Sequence, residues 1–270
     1  MKEDRPILKW PGGKRRLVHA IVPRLPSGTR LVEPFVGSGA VFLASDYSEY
    51  LLCDANADLI LFYQSLRNDG ENFIERCRAL FDGGNSQEAF YDNRDRFNAG
   101  ATGSERGALF LYLNRHGYNG LIRYNSKGFF NVPFGRFKQP RFPAKEMAYF
   151  LTRTRRSRVE LRAQDFRQTF AALRPGDVVY CDPPYIPLSK TANFTAYEGT
   201  VFGVGDQDEL ARLAARTALQ GIRLVMSNHL TPATRELYTG ASEIHEINVR
   251  RCISCNSDKR EMVGEMLAVY

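Results

Sequence analysis

The chain has 270 residues, 43% hydrophobic and 25% charged, with a formal net charge of +7. These are ordinary values for a globular domain with one sizeable core, and the positive balance suggests a polyanionic partner without naming one. Charged residues begin at Lys2 with no long apolar run behind them, and five cysteines stand at irregular positions, so neither a secreted disulfide scaffold nor a membrane span is expected.

In chain order, the pattern predicts a helix over 14–24 and a strand over 29–33 that runs into the glycine-containing turn Glu33-Pro34-Phe35-Val36-Gly37-Ser38-Gly39. Glycines there let the backbone approach a ligand closely. A second strand, 50–54, ends on Asp54, about twenty residues on, the distance at which an acid grips a ribose diol after such a turn. The turn lacks a full G-x-G-x-x-G, which disfavours a dinucleotide. Helices are predicted at 57–68, 70–82, 86–98 and 104–115, followed by a hairpin from Leu121 to Phe130 around Asn125-Ser126-Lys127-Gly128.

Charge concentrates in that middle region. From Gly107 to Lys145 there is no Asp or Glu, while Arg115, Arg123, Lys127, Arg136, Lys138, Arg141 and Lys145 supply seven positive charges, equal to the whole excess. Nine Phe and Tyr residues are interleaved with them. That mixture suits a surface facing a nucleic-acid groove; a solvated basic face over a small aromatic core is the alternative.

Strands at 159–162, 177–181, 222–227, 244–250 and 263–269 then alternate with helices at 165–173, 206–220 and 232–239, an α/β pattern closed by an antiparallel hairpin. Within 206–220, Asp206 is expected to cap the helix, Glu209 to reach back and Gly221 to end it. Cys252 and Cys255 read as structural thiols of the closing hairpin, having neither a second pair nor a following histidine for zinc. After the buried run Val178-Val179-Tyr180-Cys181 come Asp182-Pro183-Pro184-Tyr185, projecting from a strand end where α/β sheets place ligands. Asp182 can accept one N–H of a planar amine and the Pro183 carbonyl the other. Pro184 adds rigidity without a competing donor, and Tyr185 offers a stacking face.

The glycine turn, Asp182–Tyr185, and the stretches Lys9–Lys14, Val32–Phe35, Leu111–Arg115, Gly117–Leu121, Phe130–Arg136 and Thr191–Tyr197 together resemble the Dam-type DNA adenine-N6 methyltransferases over nearly the whole chain. The resemblance implies a Rossmann-like class I methyltransferase sheet over 1–56 and 157–270, interrupted at 57–156 by a mostly helical target-recognition domain with a β-hairpin. It also implies S-adenosylmethionine as cofactor, duplex DNA with a GATC site as substrate, and no metal. The implied cofactor residues are Trp10, Lys14, Glu33, Pro34, Phe35, Gly37, Gly39, Asp54, Asp165 and Asp182, although Trp10 also fits core packing and Asp165 a helix cap. The implied DNA contacts are Lys9, Tyr118, Asn119, Leu121, Arg123, Asn125, Pro133, Arg136 and Phe137. Of these, Arg123 suits bidentate pairing with guanine, a phosphate contact being its competitor. Phe137 departs from the family, which often carries tyrosine there. A monomer in the cytoplasm, associated with the nucleoid, is expected. A methyltransferase for cytosine N4 or an RNA base, and a catalytically silent DNA-binding protein of this fold, remain as alternatives. Residues 186–205 are too long for a plain connection and are expected to close over a flipped base.

Overall fold

The computed structural model describes residues 5–185, 202–250 and 262–270, without the side chains of 248–250, 262 and 263. The Thr191–Tyr197 stretch, most of the 186–205 segment and both Cys252 and Cys255 therefore lie outside the described residues.

Seven strands form one sheet among the described residues: β1 Arg30–Glu33, β2 Glu49–Asp54, β3 Arg158–Ala163, β4 Asp177–Cys181, β5 Arg223–His229, β6 Glu243–Arg250 and β7 Met262–Val269. Their order is β3-β2-β1-β4-β5-β7-β6. The first five pair in parallel, and β7 lies antiparallel between β5 and β6. The expected closing hairpin is thus present, with its second strand inserted beside β5.

Alternation of side chains along the strands builds two cores. Leu31, Tyr50, Leu52, Val178, Tyr180, Val225 and Leu267 face one side; Val32, Leu51, Cys53, Val179, Cys181, Leu224, Met226 and Met266 face the other. The second face is covered by α8 (Phe166–Ala171), α9 (Val204–Leu219) and α10 (Pro232–Leu237), which contribute Phe166, Leu210 and Ala214. On the first face, α3 (Ala57–Asp69) carries Leu59, Phe62 and Leu66 into a core that runs on through α4 (Glu71–Phe81), α5 (Gln87–Asn98) and α6 (Gly103–His116). Sheet and helical insertion therefore share one apolar cluster. At the opposite end of the sheet from the site, Arg30 meets its register partner Asp177 through two bonds of 2.8 and 2.6 Å, fixing β1 against β4.

Several expectations need correction. The helix expected at 14–24 is a 3-10 turn at Lys14–Arg16, a four-residue α1 at Val18–Ile21 and a second 3-10 turn at Val22–Arg24. Pro23 lacks an N–H and its ring crowds the preceding turn, so an α-helical ladder cannot continue through it. Two helices lie outside the sequence-based expectations: the short α2 (Ala40–Ala44) and the thirteen-residue α7 (Ala144–Arg156). The buried Met147, Phe150 and Leu151 of α7, spaced i, i+3, i+4, were its signal. Asp206 is not the cap of α9 but its third residue, its carboxylate accepting the Gly203 N–H at 2.7 Å. Glu209 does not reach back, because Arg167 takes its carboxylate at 2.8 Å. The 121–130 hairpin forms, reduced to one antiparallel bridge, Tyr124 to Phe130, around a turn closed by the Gly128 N–H to the Asn125 carbonyl.

Candidate active site

β1 and β4 are neighbours whose onward connections leave in opposite directions across the sheet, and the crevice beyond their carboxyl ends is the topological switch point of an open α/β sheet. Both sequence-predicted motifs end there. After β1, Gly39 N–H bonds the Val36 carbonyl at 2.8 Å, and Gly37 and Gly39 take φ of 46° and 68°. A Cβ on Gly37 would stand 2.9 Å from Trp10 Nε1, so the indole of Trp10 lies directly against a turn that only glycine permits. Asp54, buried at the end of β2, holds the turn: Oδ2 accepts Gly37 N–H at 2.9 Å and Oδ1 accepts Asn56 N–H at 3.0 Å. Burial pushes its carboxyl up to about 6, against the pull of those two donors.

Glu33 is fully buried, and burial, followed by the charge of Asp182, pushes its carboxyl well above the usual range. Its Oε1 has no hydrogen-bond partner among the described residues. Phe35 stacks on Phe166 at 5.6 Å between centroids and meets Phe202 edge-on at 5.7 Å. Asp165 proves to be the N-cap of α8, accepting Arg167 N–H at 2.8 Å, with Gln168 closing a capping box. Its carboxylate also joins Asp206 and Glu209 around the Arg167 guanidinium, so its place is structural first.

At the end of β4, Asp182 pairs through Oδ1 with Lys14 Nζ at 2.9 Å. The lysine comes from the first 3-10 turn and is only 5% exposed, so the residue assigned by resemblance to the cofactor touches the Asp-Pro-Pro-Tyr motif directly. Burial raises the Asp182 carboxyl, and Lys14 pulls it back. Tyr185 sets its ring against His229 at 4.4 Å and under Lys14 Nζ at 4.4 Å, and donates to Glu265 Oε2 at 3.1 Å. Gln207 holds the loop by donating to the Pro184 carbonyl at 2.6 Å. Glu265, His229 and Gln207 were missed from sequence; they belong to distant segments, and only the sheet order brings them together.

The recognition candidates also converge. Asn114, fully buried on α6, accepts Lys9 N–H at 2.9 Å and donates to the Lys9 and Gly120 carbonyls at 2.8 Å each. Gly120 packs on the Lys9 stem so closely that a Cβ would stand 2.3 Å from Lys9 Cδ. Tyr118 N–H bonds the Pro133 carbonyl at 2.8 Å, joining Tyr118, Asn119 and Leu121 to the 133–137 segment. Tyr118 is 52% exposed, an uncommon display for a tyrosine in a soluble fold. Asn119 and Arg136 are the non-glycine residues with φ in the left-handed region among those described, at 52° and 50°. Strain of this kind persists where surrounding structure imposes it. Phe137 is partly buried, its ring 4.0 Å beneath Lys9 Nζ. Arg123 is exposed, with Nε bonding Asn131 Oδ1 at 2.7 Å and Nη2 the Asn131 carbonyl at 3.2 Å. Asn125 accepts the Lys127 and Phe129 N–H groups through Oδ1, at 2.9 and 3.0 Å, so its oxygen serves the turn and only its amide nitrogen is available for DNA.

A switch-point crevice with an Asp-Pro-Pro-Tyr edge, in a sheet of this order, defines a Rossmann-like methyltransferase. Residues 10–253 match the model of the D12 class N6 adenine-specific DNA methyltransferases. The DNA adenine methylase of Serratia marcescens is 46% identical over the full length of both chains. Those of Vibrio cholerae serotype O1 and Escherichia coli K12 are each 45% identical over all of this chain, covering 97% and 96% of theirs. The chain belongs to the D12 class of N6 adenine-specific DNA methyltransferases, enzymes that methylate adenine in DNA. No described helix is long and apolar enough to cross a membrane.

Proposed function

We propose that this enzyme takes the methyl group of S-adenosylmethionine and places it on N6 of an adenine rotated out of duplex DNA, within GATC. The observation that carries this reading is the contiguity of Lys9 and Trp10. Trp10 covers the glycine turn of the crevice, while the preceding residue is tied by Asn114 to the exposed recognition platform.

The crevice suits a cationic, ribose-bearing cofactor. Glu33 Oε1 is a buried acceptor with no partner among the described residues, Pro34, Gly37 and Gly39 form a turn that leaves backbone accessible, and the Asp54 carboxylate is fixed beside it. Trp10, Phe35 and Lys14 would complete the cradle, with Asp165 at its margin. When bound, S-adenosylmethionine supplies an activated methyl group on a sulfonium, so the protein is left with positioning and charge stabilisation. Asp182 and the Pro183 carbonyl accept the two N–H bonds of the target amine, drawing its lone pair back from the ring onto nitrogen. Pro184 fixes the turn, and Tyr185 stacks on the base.

On the recognition side, Tyr118 and Asn119 fill the place of the flipped adenine. Lys9 and Leu121 address the outer guanine, Pro133 and Arg123 the third and fourth base pairs, and Asn125, Arg136 and Phe137 border the contact. Residues 57–156 form the target-recognition unit, and 1–56 with 157–270 the catalytic one. The enzyme acts as a monomer at the nucleoid. Incubation with labelled S-adenosylmethionine and duplexes that differ only in GATC tests the reading. Label should enter the GATC duplex at adenine N6 and stay out of a permuted site; equal labelling of both would remove the assigned specificity.

A further inference from the structure

The acceptor reading leaves one partly buried acidic residue beside Lys14 unused. Glu265 stands opposite His229 in the antiparallel β5–β7 register, so the reversed strand carries its carboxylate back to the mouth of the crevice. Its Oε2 accepts the Tyr185 hydroxyl at 3.1 Å and lies 4.0 Å from Lys14 Nζ, which itself sits 2.9 Å from Asp182 Oδ1. The ammonium is 5% exposed and Glu265 18%. One cation is thus held between two carboxylates, with the ring of Tyr185 beneath it.

An ammonium on Asp182 works against the task assigned to that carboxylate. It occupies an acceptor oxygen and offsets the negative charge that should stabilise positive charge growing on the target nitrogen. Lys14 cannot simply depart, since an unpaired buried charge is costly. A move of about 1 Å toward Glu265 would give Nζ a charge-assisted bond of ordinary length, and the flexible lysine stem with three donors permits it. Resting on the reading of Asp182 as acceptor, we propose that Glu265 is a positioning residue: it takes Lys14 from Asp182 as the target amine enters, while its bond to Tyr185 keeps the ring in place.

Glu265→Gln retains the volume and an oxygen for the Tyr185 hydroxyl and removes the charge. Single-turnover methyl transfer should slow by about tenfold to fiftyfold, with DNA and cofactor affinities within about twofold of wild type, because the loss falls on the transition state alone. Glu265→Asp, which keeps the charge, should recover much of the rate. In a Lys14→Met background there is no ammonium to move, so Glu265→Gln should add little further loss. A wild-type rate in Glu265→Gln, or an undiminished loss in the Lys14→Met background, overturns the proposal and leaves Glu265 as a structural anchor for Tyr185. The cycle decides even where Glu265→Gln lowers the melting temperature, since a folding defect carries over into both backgrounds. Asp182→Asn, measured alongside, separates the two readings. An active Asp182→Asn sinks the acceptor itself, whereas an inactive one beside a wild-type Glu265→Gln sinks only the exchange.

Discussion

On the proposed reading of DNA, Arg123 is a single side chain held in a set direction. Asn131 holds its Nε and Nη2 through the hairpin, so an exposed guanidinium projects with a fixed direction and loses less rotamer freedom on binding. Arg123→Ala should relax discrimination at one base pair by about 1–3 kcal/mol, whereas Lys127→Ala or Lys145→Ala should weaken all sequences alike and reduce the salt slope by about one. Comparing affinities for GATC and its single-base variants distinguishes these; a uniform loss in Arg123→Ala would make it a phosphate contact. The residue types were legible in the sequence, because a guanidinium fork and an Asp-Pro-Pro-Tyr edge carry their chemistry locally. Their supports were not. Asn131, Asn114 and Glu265 are ordinary polar residues in a string of letters, and each acquires a role only when the fold places it beside Arg123, Lys9 or Lys14.

At the scale of elements, the glycine turn held by Asp54 should make the proposed cofactor side of the site sensitive to pH. Below about pH 6 Asp54 takes up a proton, and one of its oxygens ceases to be an acceptor for the N–H groups of Gly37 and Asn56. Cofactor affinity should then fall by about tenfold per pH unit, and Asp54→Asn should bind weakly with a flat profile. The sign for stability is opposite. The folded-state value lies above the ordinary 3.8, so this group's contribution to folding is full below that value and is lost as pH rises through about 6. Titration calorimetry between pH 5 and 8, paired with melting curves for both proteins, reads the two effects; affinity unchanged down to pH 5 would show that Asp54 does not hold the turn through its charge. The strands themselves were legible to within a residue or two, because buried runs such as Val178–Cys181 and a period of two leave little choice of element or face. The helices α3 to α6 were as legible, each end within a residue of expectation; the cap of α9 and the 14–24 segment were not. Asp206 read as a cap from its letter alone, yet Gly203 is the cap of α9, and the acid is drawn to Arg167 on α8. Pro23 was a visible breaker whose effect on the 14–24 helix was underweighted, and α7 hid behind a charged face.

For the whole molecule, the proposed reaction draws on the basic excess and the Asp-Pro-Pro-Tyr edge, two sequence-distant segments. Residues 107–145 carry the surplus charge, while Asp182 arrives from β4 far along the chain. The junction is the 9–14 segment, which gives Lys9 to the platform, Trp10 to the glycine turn and Lys14 to Asp182. Composition suggested a polyanionic partner, and the motif order suggested an insertion. That one apolar cluster runs from the sheet through α3 into α6 was beyond both, since it depends on which helix faces meet. The central claim is that Asp182 serves as acceptor for the target amine and has no part in gripping DNA. Single-turnover methyl transfer by Asp182→Asn on a GATC duplex, with DNA affinity measured on the same protein, tests it most directly. The rate should fall by about a hundredfold or more while affinity stays within about twofold. A rate near wild type, or a loss explained by weaker DNA binding, would contradict it.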